Sequence, residues 1–170
     1  VDHVGTLSLK DGSVTNLAEI KRAMLYRVTS MAFDKSSRTA FFTNDNLKHR
    51  DLMQVNVDTG ESRMLLEDAR IGEMVVNPID KSLIGVQHAR GIATLVHIPF
   101  PYDDWENIHE FPYEHVPYDL DISPDGKFLY ATNRGKENNI AIFSINEKGL
   151  LKNIGYQSTL GNHPRVFALD

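Results

Sequence analysis

Residues 119–133 read DLDISPDGKFLYATN. Tyr118–Ile122 alternates apolar with polar, Ser123-Pro124-Asp125-Gly126 carries the residues of a tight turn, and Lys127–Asn133 is rich in aromatic and apolar side chains. That is the signature of a β-hairpin. The same text recurs upstream as SMAFDKSSRTAFFTND from Ser30 and EMVVNPIDKSLIGVQH from Glu73, and its opening returns as VFALD from Val166. Aligned on an apolar residue followed by Asp, Asn or Ser, the anchors Phe33, Val76, Ile122 and Leu169 are spaced 43, 46 and 47 residues apart. A period near 45 residues is the length of one four-stranded propeller blade.

The remaining strands follow from the third repeat. Asn139–Ile145 (NIAIFSI) alternates, Asn146-Glu147-Lys148-Gly149 turns the chain, and Leu150–Thr159 returns as an outer strand. Gly91–Ile98 is the corresponding third strand of the second repeat, and Leu52–Val57 with the turn Asp58-Thr59-Gly60 that of the first. Val4–Leu9, a turn at Lys10-Asp11-Gly12 and Val14–Ile20 read as strands c and d of an earlier blade, and Val166–Asp170 as strand a of a later one. Asn16–Tyr26 also fits a helix, with Leu17, Ile20 and Met24 near helical spacing.

The expected fold is therefore all-β, a partial β-propeller with a part-blade at 1–27, blades at about 28–70, 71–116 and 117–162, and a strand at 163–170. The four anchors are expected at equivalent buried positions on innermost strands. Phe41, Val55, Val57, Ile84, Leu95, Ile98, Leu129, Ile140 and Ile142 are expected to pack between sheets, by alternation. Asp58 and Asp125 are read as turn caps, and Trp105 as the surface anchor of the insertion Pro99–Trp105. Three blades and two part-blades leave open sheet edges, so further blades or a second copy of the chain are expected to close the ring.

Composition narrows the function. Of 170 residues 41% are hydrophobic and 24% charged, which is globular, and 18 Lys and Arg against 23 Asp and Glu give a net charge of −5, which excludes a nucleic-acid surface. No apolar run reaches the roughly 18 to 20 residues of a membrane-spanning helix. Val1 in place of Met leaves room for a targeting segment ahead of it; zero cysteines suits cytosol and periplasm alike, with a periplasmic or secreted location favoured. The 7 histidines form no HExxH or similar pair, so no metal is expected, and no motif calls for a cofactor.

Residues 121–170 resemble the seven-bladed lactonase family, which includes the 6-phosphogluconolactonase-like and muconate-cyclising propellers. The pieces that carry the resemblance are Ser123-Pro124-Asp125-Gly126-Lys127, Asn133-Arg134-Gly135, the run NNIAIF from Asn138 to Phe143, and His163-Pro164-Arg165. The first 116 residues resemble TolB-type or WD40-like blades, as in RDLMQVNVDTGESRMLLED from Arg50. Propeller geometry gathers the b–c and d–a connections at one channel mouth. His49, Arg50, Arg90 and Arg134 fall in b–c connections, and Arg27, Arg70, His115, His163 and Arg165 in or beside d–a connections. Arg50, Arg90, Arg134, His115, His163 and Arg165 are the candidate ligand contacts, since guanidinium groups grip carboxylate or phosphate in pairs. The resemblance implies that Arg134, His163 and Arg165 are the candidates for polarising a lactone carbonyl and handling a proton. Pairing of these arginines with neighbouring carboxylates is the competing reading. Two functions stay open: a scaffold that offers its loop face to a protein or small anionic ligand, and a lactone hydrolase.

Overall fold

In the computed structural model, which describes residues 2–20, 30–45, 50–111 and 117–169, the elements are β-strands throughout. The chain forms two compact units, Val1–Gly72 and Glu73–Asp170. No helix among the described residues is long and apolar enough to cross a membrane.

The first unit opens with an antiparallel pair, β1 (Asp2–Leu7) and β2 (Val14–Ile20), so residues 14–20 are strand rather than helix. Residues 21–26 of the alternative helix lie outside the described residues. Next comes a four-stranded meander of β3 (Met31–Asp34), β4 (Thr39–Asp45), β5 (Arg50–Asn56) and β6 (Ser62–Leu66). Val4 and Ile20 pack on Ala40, Phe42 and Val55, which joins the pair to the middle of this sheet.

The second unit holds two more meanders. One is β7 (Ile71–Val76), whose first two residues belong to the first unit, with β8 (Leu83–Ala89), β9 (Ile92–Ile98) and β10 (Glu106–Phe111). The other is β11 (Pro117–Ile122), β12 (Phe128–Asn133), β13 (Asn139–Ile145) and β14 (Leu151–Ser158). Ile84, Val86 and Leu95 of the former pack face to face on Ile122, Leu129 and Phe143 of the latter in one buried cluster. Sheet-on-sheet packing of short antiparallel meanders is how a propeller buries its apolar faces.

The repeat alignment can be read atom by atom at the a–b turns. Asp34, Asn77 and Ser123 occupy the same step and all three are buried. Each meets the residue five places on: Asp34 faces Thr39 in the ladder, Asn77 N donates to Ser82 O, and Ser123 N to Phe128 O. Their side chains serve their own turns. Asp34 Oδ1 accepts Ser36 N, Asn77 Oδ1 accepts Ile79 N, and Ser123 Oγ accepts Phe128 N while donating to Asp125 Oδ1. A buried polar group costs little when satisfied this locally.

Several expectations need correction. Phe33 is 46% exposed, unlike the equivalent buried Val76 and Ile122. Its face is the one that carries Ala40, and the buried cluster that joins β1–β2 to Ala40, Phe42 and Val55 does not include it. Arg38 lies 5.8 Å from the Phe33 ring centre instead. Residues 166–169 form no strand, and Leu169 is only partly buried, because a strand needs a ladder partner and among the described residues none pairs with them. Ile140, Ile142 and Val57 are partly buried, whereas Phe41, Val55, Ile84, Leu95, Ile98 and Leu129 are fully so. The anchor of the insertion is Tyr102, buried with its hydroxyl donating to Lys81 O, while Trp105 is half-exposed. Asn56, not Asp58, caps the turn at 58–60 by accepting the Asp58 and Thr59 N–H groups, which frees Asp58 to pair with Arg38. Asp125 does cap its turn, accepting Lys127 N.

Candidate functional site

In the second unit the innermost strands begin irregularly, and this irregularity positions polar side chains at one end of the sheets. Between Pro117 and Leu120 the pairing of β11 with β12 slips by one residue, a β-bulge that holds Tyr118 and Asp119. Bulges turn side chains out of the regular alternation and occur often beside binding sites. In β7 the equivalent place is Glu73, three residues before Val76 as Asp119 is three before Ile122, and Glu73 has φ of 44°. A left-handed conformation is strained for a residue with a Cβ, so both strands depart from ideal geometry at one repeat position.

Glu73 Oε2 lies 3.3 Å from His88 Nε2 on β8. Burial pushes the Asp119 carboxyl above the usual carboxylate range, against the pull of the Phe167 N–H that it accepts at 2.9 Å. The nearby Asp121 and Glu73 carboxylates push it up further. These carboxylates and the imidazole escaped the sequence reading, although the repeat alignment places Glu73 and Asp119 together and is the signal that would have found them.

Arg134 lies over the Tyr118 ring, 4.9 Å from its centre, so the bulged tyrosine holds the guanidinium by a cation–π contact. The loop that bears Arg134 is laced to the connection that bears His163. Asn138, at φ of 46°, accepts Thr159 N and Thr159 Oγ1 at its carbonyl and His163 N at its side chain. Thus the b–c and d–a connections of this sheet meet at one end. Arg165, two residues on, is exposed. Arg90 forms with Gly91 a two-residue hairpin, both at positive φ as a type I′ turn requires, and it too is exposed. His115, His49 and Arg27 lie outside the described residues.

In the first unit the corresponding connections are held by internal bonds. Asp68 Oδ1 accepts Arg50 N, Arg70 N donates to Arg50 O, and Arg70 clasps Asp68 through Nε and Nη2. For Arg70 the structural pairing is what is found. Among the described residues no group of three or more His, Asp or Glu is placed to hold a metal. A cleft of about 310 Å³ between β10 and β13–β14 is lined by His109, Phe111, Phe143 and Tyr156 without Arg, Lys or carboxylate, which does not suit an anion.

Residues 107–170 match the family model described as lactonase, 7-bladed beta-propeller. The C-terminal third is lactonase-like. A 6-phosphogluconolactonase of Formosa agariphila is 63% identical over 54 residues, which is 31% of this chain and 15% of that protein. Among solved structures, one described as a candidate 6-phosphogluconolactonase from Bacteroides uniformis superposes with a TM-score of 0.66 at 24% identity, covering 99% of this chain and 54% of that one. TolB from Acinetobacter baumannii gives 0.65 at 16% identity over 89% of this chain and 37% of its own. The chain thus spans about half of the Bacteroides propeller, and both structural likenesses show the fold. The lactonase-like segment contains Tyr118, Asp119, Arg134, Asn138, His163 and Arg165, whereas Glu73, His88 and Arg90 precede it.

Proposed function

We propose that this chain supplies part of the mouth of a lactonase-type propeller, and that its ligand is an anionic sugar lactone or sugar acid of the 6-phosphogluconate class. The observation that carries the reading is the 63% identity to a 6-phosphogluconolactonase. It falls together with a family match that contains both laced connections of the third sheet. Arg134, oriented by Tyr118, would grip the phosphate or carboxylate, with Arg165 beside it. Lactone hydrolysis needs a base to take a proton from water, donors for the carbonyl oxygen, and an acid for the leaving alkoxide. His88 with Glu73 behind it is suited to the first role, Arg134 or His163 to the second, and Asp119, whose pKa burial raises, to the third.

Calorimetric titration with 6-phosphogluconate tests this. Arg134→Ala and Arg165→Ala should each weaken binding about tenfold to a hundredfold, the loss of one charge-assisted pair. Arg134→Lys should rescue only in part, because an ammonium cannot reproduce the guanidinium fork. Equal affinities for wild type and both alanine variants would remove the anion site. The second reading, a scaffold that binds through the same face without chemistry, is favoured by the internal Arg70–Asp68 ion pair of the first unit. It predicts binding with no hydrolysis of 6-phosphogluconolactone.

A further inference from the structure

The cleft between β10 and β13–β14 is shaped by two breaks in strand alternation, one on each wall. In β10 the pairing with β9 slips between Asn107 and His109, and the adjacent residues Ile108 and His109 both line the cleft. In β14 the pairing with β13 slips opposite Ile142 and Phe143, so the lining runs Leu151, Asn153, Tyr156 in place of the alternating 151, 153, 155. Bulges of this kind re-aim side chains and are frequent beside binding sites. Residue size opens the space further. Ala131 and Gly85 each stand nine residues after their anchors, Ile122 and Val76, and their ladder partners are Ala141 and Val96. Ala141 therefore lines the cleft where the preceding repeat carries a valine.

The lining divides by depth. Its buried members, Phe111, Ala141 and Phe143, are apolar, and its exposed ones, His109, Asn153 and Tyr156, can all hydrogen-bond. Half-buried Asn133 spends its amide N–H on Asn139 Oδ1 at 2.9 Å, which leaves its own Oδ1 without a donor among the described residues. An ion would lose its hydration there with no counter-charge, and a sugar would set hydroxyls against Phe111 and Phe143 with nothing to bond them. A flat apolar ring suits the floor, and one donor on its edge suits Asn133. A volume of about 310 Å³ is at the small end for ligand pockets, the size for one or two rings. We propose that the cleft binds a small uncharged aromatic molecule whose ring carries one hydrogen-bond donor, of the indole or phenol type. Its ring lies against Phe111 and Phe143, and its donor bonds Asn133 Oδ1. None of these residues is assigned to the anion, so the inference is independent of the proposed lactone ligand.

Titrating the chain with indole while following its amide chemical shifts tests this. Indole should move the amides of residues 108–111 and 151–156 with a dissociation constant on the order of 1 mM, the range of a fragment-sized ligand. 1-Methylindole, which lacks the donor, should bind roughly threefold to tenfold more weakly, the range for one hydrogen bond. Benzoate and glucose should leave these amides in place. Tyr156→Ala removes an exposed rim ring and should weaken indole roughly threefold or more. Ala141→Val, which restores the side chain of the preceding repeat, should abolish binding; if that variant does not fold, Tyr156→Ala decides the matter. Indole that moves none of these amides overturns the inference. So does benzoate, glucose or 1-methylindole binding as tightly as indole, or a Tyr156→Ala variant with wild-type affinity.

Discussion

At Asp119 one carboxyl is pulled two ways. Burial and the Asp121 and Glu73 carboxylates favour its neutral form, while the Phe167 N–H favours the anion, and the balance raises its pKa above the ordinary 3.8. A carboxyl that holds its proton more tightly when folded contributes stability at low pH and loses it as pH rises through the window above 3.8. Asp119→Asn keeps an oxygen to accept the Phe167 N–H and abolishes the ionisation. The variant should therefore be the more stable protein at pH 7, and the gap should close as pH falls below 3.8. Urea midpoints of both proteins across that range check this, since titrations of groups remote from Asp119 are common to both and cancel. A gap independent of pH would mean that Asp119 is not perturbed. The opposite case is Asp11 in the β1–β2 turn, whose pKa is lowered to about 2 by bonds from Ser8 and Ser13, so its contribution fades only in strong acid.

At the scale of strands and turns, glycines at positive φ separate two costs. Gly60, at 74°, faces open space, whereas a Cβ on Gly126, at 69°, would come within 2.6 Å of Asn77 Oδ1 and of Ile79 Cγ1 in the preceding sheet's turn. Gly60→Ala should cost about 1 kcal/mol for the left-handed conformation alone. Gly126→Ala should cost roughly 2 to 4 kcal/mol, because the neighbouring turn must also shift. Equal losses in chemical denaturation would show that the two turns do not interlock. The turn itself was legible in Asp125-Gly126, and so was the repeat, since both depend on local chemistry. What lay across a sheet was not. The parity of Phe33 follows from alternation, but its exposure depends on how far β1–β2 extends over β3–β6. Tyr118 and Asp119 read as ordinary alternating residues, because a bulge adds one residue to the ladder without any marker in the text. Residues 166–169 have strand-like side chains, but a strand depends on a ladder partner that the local text does not reveal, and none pairs with them among the described residues.

For the molecule as a whole, the lesson of a repeat architecture is that each blade buries one face on its predecessor and offers the other to its successor. In the first unit Met31 and Phe33 are exposed on the innermost strand, and in the second Tyr130, Ile140 and Ile142 are half-covered. Apolar side chains left exposed on a blade face suit an interaction site. The net charge of −5 opposes contact between copies, but only weakly at physiological salt, where exposed charges are screened beyond about 8 Å. The chain on its own is accordingly expected to associate as concentration rises, and added salt should strengthen that association by screening the repulsion while leaving the apolar contact intact. Phe33→Lys places a charge on the exposed innermost strand and should shift the protein toward monomer, with a small effect on its folding because the ring is 46% exposed. Sedimentation equilibrium at low and high salt distinguishes the cases. Association that weakens with salt would assign the contact to ion pairs instead. A Phe33→Lys variant that associates as wild type does would remove this innermost strand from the interface.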